Sequence, residues 1–314
     1  MIVGESLWRT MMKVYDVGKS YTIVNGDCRE VMRSINDGVI DCCVTSPPYF
    51  NLREYDGEVE GSIGSQDSVE EYIRSLVSVF SEVKRILKDD GILWLNIGDS
   101  FSRKTHGSIR RKERIGIPWM LAFALREDGW YLRQDIVWEK PNAMPESVKD
   151  RFTCSHEMVF MMVKNGKYVF NSSEIKEPSD GNYKIGAETP RFGGTKYGDS
   201  DDKHYSGKSG KRWVPSMAVM EDGSKVVVRN MRDVWKIPVH PFSGCHFATF
   251  PEHLVDRCIR CGCRDGGVVI DPFSGSGTTG LSALKNGRKF IGIDTSEKYC
   301  ALSSERIRNF LCQH

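Results

Sequence analysis

Val268-Val269-Ile270-Asp271-Pro272-Phe273-Ser274-Gly275-Ser276-Gly277-Thr278-Thr279-Gly280 is the stretch on which the fold turns. Three β-branched residues make a short buried strand that runs straight into a glycine loop. A helix follows to Lys285 and is closed by Asn286-Gly287. Lys289-Phe290-Ile291-Gly292-Ile293 is the next strand, and it ends on Asp294. Strand, glycine loop, helix, and a second strand ending in an acid make a nucleoside-binding unit. The glycines let backbone approach a ligand, and the helix N-terminus favours a carboxylate or phosphate. Asp294 can accept two hydrogen bonds from ribose hydroxyls. A Gly-x-Gly alone also suits nicotinamide dehydrogenases. Their third glycine is missing here, because Gly280 falls off register.

Far upstream, Val39-Ile40-Asp41-Cys42-Cys43-Val44 reads as a buried parallel strand. It runs into Thr45-Ser46-Pro47-Pro48-Tyr49-Phe50. Neither proline can donate to a ladder, and Pro48 holds Pro47 extended. The chain therefore leaves the sheet as a stiff segment with free carbonyls, a hydroxyl before it and a ring after it. Taken alone, this reads equally as a turn. At the carboxyl edge of an open α/β sheet, the same groups can hold the amino group of a flat base while the ring stacks on it.

The chain has 314 residues, 39% of them hydrophobic, enough for one large α/β domain with an insertion. Its formal net charge is only +2, so a nucleic-acid surface must come from local clustering of Lys and Arg. No charged leader and no stretch of membrane-spanning length is evident, and a cytoplasmic protein with no membrane partner is expected. Ten cysteines, many in apolar runs, then read as reduced core residues. Cys258, Cys261 and Cys263 lack a second pair at zinc spacing and read as structural; no metal is expected.

In chain order, residues 1–20 read as an irregular arm. Tyr21–Val24 is a strand, and Asp27 caps a helix through Met32 and Ile35. Residues 51–66 read as a loop over the site. Ser68 opens a helix that Asp90-Gly91 should stop, before a strand Ile92–Ile97. Residues 102–114 are dense in cations, Arg110, Arg111 and Lys112 among them. They read either as a solvated loop or as a phosphate contact, since they follow a strand end on the same edge as Ser46. Pro118 starts a helix, Trp130–Trp138 is a strand, and Glu157–Val163 with Tyr168–Phe170 reads as an edge hairpin turning at Asn165-Gly166. From about Asn171 to Val234 apolar periodicity fades and Gly, Ser, Lys, Asp and Tyr dominate. Three segments follow: 1–170, 171–234 and 235–314.

Ser46-Pro47-Pro48-Tyr49 and Asp271-Pro-Phe-Ser-Gly-Ser-Gly-Thr-Thr279 together resemble the two signature motifs of amino-methylating DNA methyltransferases. The catalytic motif comes first, as in the permuted β group. The resemblance spans roughly residues 21–310. It includes Trp138-Glu-Lys-Pro-Asn-Ala-Met-Pro145, Ser155-His156-Glu157 and His246–Leu254. It implies a seven-stranded mixed β-sheet with helices on both faces, a Rossmann-like methyltransferase fold with circularly permuted motif order and an inserted target-recognition region. It implies S-adenosylmethionine as cofactor, held by Asp27 near the adenine and Asp294 at the ribose. Asp271, Phe273, Gly275, Gly277, Thr278 and Thr279 would surround the methionine part, with Thr249 and Phe250 near its tail. Ser46, Pro47, Pro48 and Tyr49 would be catalytic, acting on a base turned out of double-stranded DNA. The serine at 46 is the more frequent choice in cytosine-N4 enzymes, with adenine N6 as the alternative. DNA contacts are expected from Arg110, Arg111 and Lys112 and, in the insert, from Lys203, Lys208, Lys211 and Arg212. A cognate restriction endonuclease is left open as a partner. Other readings are a methyltransferase acting on non-DNA amines, which usually carries Asn-Pro-Pro-Tyr after the cofactor motif, and a non-catalytic DNA-binding module.

Overall fold

A computed structural model describes residues 13–50, 63–105, 107–179, 216–219, 225–239 and 250–313. The first elements are β1 (Lys13–Val17), β2 (Tyr21–Asn25), α1 (Cys28–Arg33), β3 (Ile40–Thr45), α2 (Val69–Ile86) and β4 (Leu87–Ile97). Then come α3 (Ile117–Glu127), β5 (Tyr131–Glu139) and β6 (His156–Val163). The insert contributes β7 (Lys176–Pro178), β8 (Ser216–Val219) and β9 (Lys225–Asn230). After it follow β10 (Val234–Lys236), α4 (Glu252–Gly262), β11 (Val268–Asp271), α5 (Thr278–Lys285), β12 (Lys289–Asp294) and α6 (Glu297–Gln313). The order of the main sheet is β1-β2-β12-β11-β3-β4-β6-β5-β10. The two motif strands, β3 and β11, are parallel neighbours, with Cys42 opposite Val269 and Cys43 opposite Ile270. More than 200 residues of sequence separation vanish there.

The main sheet has nine strands rather than seven. Two edge strands account for the difference. β10 joins β5 in parallel, and β1 forms inside the stretch expected to be irregular. β1 is held by buried Asp16, which accepts from Tyr21 Oη at 2.9 Å and from Arg308 Nη2 at 2.7 Å, and also from Ser304 Oγ. The edge hairpin with Tyr168–Phe170 does not form. β6 lies inside the sheet, antiparallel to both β4 and β5. Asp90-Gly91 does not stop α2 either. That helix ends at Ile86, and Asp90-Gly91 lies within β4, where the register against β3 shifts between Ile40 and Cys42. α1 ends at Arg33, before Ile35.

Helices cover both faces because strand side chains alternate. Cys43, Leu93, Leu95, Phe160, Met162, Ile270 and Ile293 share a core with the apolar stripes of α1, α2 and α3. The intervening residues face the other way. A Cβ on Gly262 of α4 would come within 2.5 Å of Trp94, and one on Gly280 of α5 within 2.6 Å of Phe290. Gly280, off register for a dinucleotide fingerprint, is thus where α5 packs closest to β12. Ser68 caps α2 by accepting from Glu71 N, and Asp99 caps α3 through Gly116 N and Ile117 N. Cys258, Cys261 and Cys263 are buried free thiols, and burial pushes the last two up to about 12.

Ile175–Met231 forms a compact unit of its own. It holds a three-stranded antiparallel sheet in the order β7-β9-β8. Arg229 of β9 pairs with Glu177 of β7 at 2.7 Å. Among the described residues no helix is long and apolar enough to cross a membrane.

Candidate active site

β2, β12, β11 and β3 stand side by side in parallel, so their carboxyl ends bring Asp27, Asp294, the glycine loop and Ser46 to one edge. Thr45, the last residue of β3, donates to Asp271 Oδ1 at 2.6 Å. Thr279 donates to Oδ2 at 2.7 Å, and Phe273 N to Oδ1 at 3.0 Å. Asp271 is fully buried, and desolvation pushes its carboxyl up to about 6 against those hydrogen bonds. Both oxygens are engaged by the protein. Asp271 is therefore the strut that ties the end of β3 to the glycine loop.

The loop is shaped by two glycines in the left-handed region, Gly275 at φ 50° and Gly277 at φ 77°. They differ in what they face. A Cβ on Gly277 would strike Ser303 Oγ at 2.2 Å, so protein packing demands that glycine. Among the described residues, a Cβ on Gly275 would meet nothing nearer than the Phe273 carbonyl at 4.0 Å. Gly275 thus leaves open space of the kind a ligand needs to approach backbone. Its N–H donates to Asp294 Oδ2 at 2.8 Å, and Ser296 N donates to Oδ1 at 2.8 Å. Each oxygen keeps a lone pair for a ligand hydroxyl. Desolvation raises this carboxyl to about 6 as well. Asp27 caps α1 through Arg29 N at 2.8 Å and pairs with the Arg29 guanidinium, which holds its carboxyl below the usual range. Asn25 Nδ2 donates to the carbonyls of Asp294 and Thr295, fixing β2 to β12 at this edge. Phe250 is half-buried just before Pro251, which caps α4. Thr249 lies outside the described residues, as do Lys203, Lys208, Lys211 and Arg212.

Ser46-Pro47-Pro48-Tyr49 leaves β3 as a stiff segment. Tyr72 Oη of α2 donates to the Pro48 carbonyl at 2.7 Å, which ties one carbonyl down and leaves that of Pro47 as the neighbouring acceptor. The Tyr49 ring lies on Gly98, where an added Cβ would come within 2.6 Å of it. Tyr49 Oη donates to Glu157 Oε2 at 2.6 Å and lies 3.5 Å from Ser46 Oγ. Asn96 Nδ2 donates to the same carboxylate at 3.1 Å, and Lys140 pairs with its other oxygen. Burial, then the neighbouring Glu157 carboxylate, hold the Tyr49 hydroxyl well above its ordinary value. The phenol stays protonated and anchored. An aromatic ring, a hydroxyl and a proline carbonyl thus stand at the strand end next to the glycine loop.

A DNA methylase family model, N6_N4_Mtase, matches residues 40–305, from the start of β3 well into α6. The type II methyltransferase M.SmaI of Serratia marcescens is 39% identical over 310 residues, covering 92% of this chain and 91% of that one. The chain belongs to this family of DNA methylases. Among solved structures, the cytosine-N4-specific PvuII DNA methyltransferase superposes with a TM-score of 0.64 at 18% identity, over 96% of this chain and 95% of that one. A DNA modification methylase of Thermus thermophilus, complexed with S-adenosyl-L-methionine, gives 0.59 at 24% identity over 93% and 94%.

Several groups that build this candidate site are not marked by either motif. Thr45 and Asn96 were visible as polar residues in apolar strands. Glu157 and Lys140 stood inside quoted segments without a role. Arg306 has no such signal. It reaches from α6 to donate to Ser276 Oγ at 2.9 Å and is partly desolvated there, which lowers its pKa. The cation loop keeps its expected place after β4, but not all its charge is uncommitted. Arg110 Nε donates to Glu113 at 2.8 Å and Lys112 Nζ to Asp150 at 2.8 Å, while Arg111 is exposed. Lys112 sits at φ 74°, which gives this turn its shape.

Proposed function

We propose that this DNA methyltransferase acts on the N4 amine of cytosine in duplex DNA, on a base turned out of the stack, with adenine N6 as the second reading. The carrying observation is the adjacency of two edges: Ser46 at the end of β3 and the glycine loop at the end of β11, joined through Thr45 and Asp271 at 2.6 Å. S-adenosylmethionine, when bound, supplies an electrophilic methyl group. The open approach at Gly275, with the carboxylates of Asp294 and Asp27 at neighbouring strand ends, fits a nucleoside with a charged tail.

The remaining work belongs to this chain's own groups. Tyr49 stacks on the extruded base. Ser46 Oγ and the Pro47 carbonyl accept hydrogen bonds from the two amine N–H groups, which draws the nitrogen lone pair out of ring conjugation and aims it at the methyl carbon; the N–C bond forms as the sulfur–methyl bond breaks, and one amine proton then leaves to water. The same acceptors stabilise the positive charge on the methylated amine. No covalent bond to the base is needed, so the buried cysteines have no part. Serine at position 46 supports cytosine. Its neutral hydroxyl accepts about half as strongly as a carboxylate, so more of the positioning falls to the Pro47 carbonyl. The type II designation of M.SmaI supports reading the modification as one half of a restriction–modification pair. DNA from cells expressing the protein, hydrolysed to nucleosides and run by mass spectrometry, should contain N4-methylcytosine. N6-methyladenine as the sole product would overturn the target atom and leave the roles of Ser46 to Tyr49 standing.

A further inference from the structure

Turning a base out of a duplex leaves a gap in the stack, and that gap is costly unless something fills it. Phe152 is 96% exposed and Met144 85% exposed, although both side chains are ones a fold normally buries. Both belong to the loop between β5 and β6. That loop opens at the same sheet edge as Ser46, since Glu139 pairs with His156 and Ile97 with Met158 at the strand ends. Its backbone is firmly held. Lys140 N donates to the Ser155 carbonyl at 2.7 Å and Cys154 N to Glu146 Oε2 at 3.3 Å. Arg151 pairs with Glu146, lies over the Phe101 ring at 3.9 Å, and donates to the Phe152 carbonyl at 3.0 Å. Lys112 of the cation loop binds Asp150 at 2.8 Å. The result is a braced stalk with a bare aromatic tip, tied through Asp150 with Lys112 and Arg151 with Phe101 to the loop that carries the exposed cations Arg103, Lys104 and Arg111.

We propose that Phe152 is the wedge that enters the duplex and fills the place of the extruded base. The charge around it fits phosphates on either side of an opened step. Phe152 precedes Glu157, the partner of Tyr49, by five residues, so the chain holds the two within at most about 18 Å of each other. Leaving this phenylalanine in water has no structural return, whereas stacking between bases has one.

The proposal rests on the base-flipping reading above, and its test separates the two. The methylated site is first mapped by sequencing DNA from expressing cells, and duplexes carrying it are made with the target nucleotide intact or abasic. Wild-type protein should bind the abasic duplex more tightly than the intact one. Phe152→Ala should lose that preference and methylate the intact duplex at least about tenfold more slowly in a single turnover. Phe152→Trp, which keeps a flat wedge, should stay near the wild-type rate, and calorimetry should show unchanged S-adenosylmethionine affinity in both variants. A Phe152→Ala variant that keeps the abasic preference, or that methylates at the wild-type rate, overturns the wedge alone, whereas a wild-type protein with no abasic preference overturns the wedge together with base flipping. A wild-type protein that puts no methyl group on DNA overturns both readings.

Discussion

Asp294 makes both stability and ligand binding depend on pH. Desolvation places its folded carboxyl at about 6, above the ordinary 3.8, and Asp271 shifts the same way. The folded chain therefore binds more protons than the unfolded chain between those values. The stability these groups contribute is present below the lower value and is lost as pH rises through about 6. Ligand hydroxyls donate to the ionised form, so S-adenosylmethionine affinity should rise across the same window. Asp294→Asn should flatten most of that dependence and weaken binding by about 1–3 kcal/mol. Calorimetry at several pH values reads both effects, and an unchanged affinity would remove Asp294 from the ribose. Glu157 belongs to the same scale. It fixes the Tyr49 hydroxyl at 2.6 Å and pairs with Lys140. Glu157→Ala should lower kcat by up to about 100-fold through misplacement of the ring, with cofactor affinity unchanged.

Elements meet the site through close approaches. The residues after β4 bring Gly98 beneath Tyr49, and no side chain fits there. Gly98→Ala would put a Cβ at 2.6 Å from the ring and push it off its plane. The expected outcome is a fall of about 10- to 100-fold in the single-turnover methylation rate, with a Tm close to that of the parent. A rate equal to wild type would mean that the ring has slack, and that Tyr49 does not position the base. β3 and β11 illustrate the same tightness. Their pairing leaves Thr45 within hydrogen-bond reach of Asp271, so the segment after β3 and the glycine loop are tied to each other.

At the scale of the whole molecule, net charge is nearly zero, and affinity for DNA must come from patches. Arg111 is an exposed cation of the loop after β4, between two cations held by acidic partners. Arg111→Ala should reduce the salt dependence of DNA binding by about one phosphate contact, a change of roughly 0.9 in the slope of log K against log salt. The unit Ile175–Met231 is proposed to carry sequence recognition, since it interrupts the catalytic chain and its sheet is of a different kind. Exchanging residues 171–234 with those of a relative should move the methylated site while cofactor binding persists. An active chimera that still modifies the original site would place recognition elsewhere, for example in the loop after β4.

Local sequence by itself determined most elements of the main sheet and the identity of both motifs. Periodicity, caps and prolines act over a few residues, so Ser68, Pro118 and the run into Ser46-Pro47-Pro48-Tyr49 could be read directly. Long-range pairing was not legible there. β6 became an interior antiparallel strand, β1 formed at an edge through Asp16, and Asp90-Gly91 stayed inside β4 because a neighbour in the sheet held each in place. The site divides the same way. The residues of the two motifs were visible as motifs. That Asp271 is a buried strut, and that Glu157, Asn96, Lys140 and Gly98 hold Tyr49, only the tertiary structure decided. Those roles depend on hydrogen bonds and contacts between segments tens to hundreds of residues apart, and no local pattern encodes such a distance.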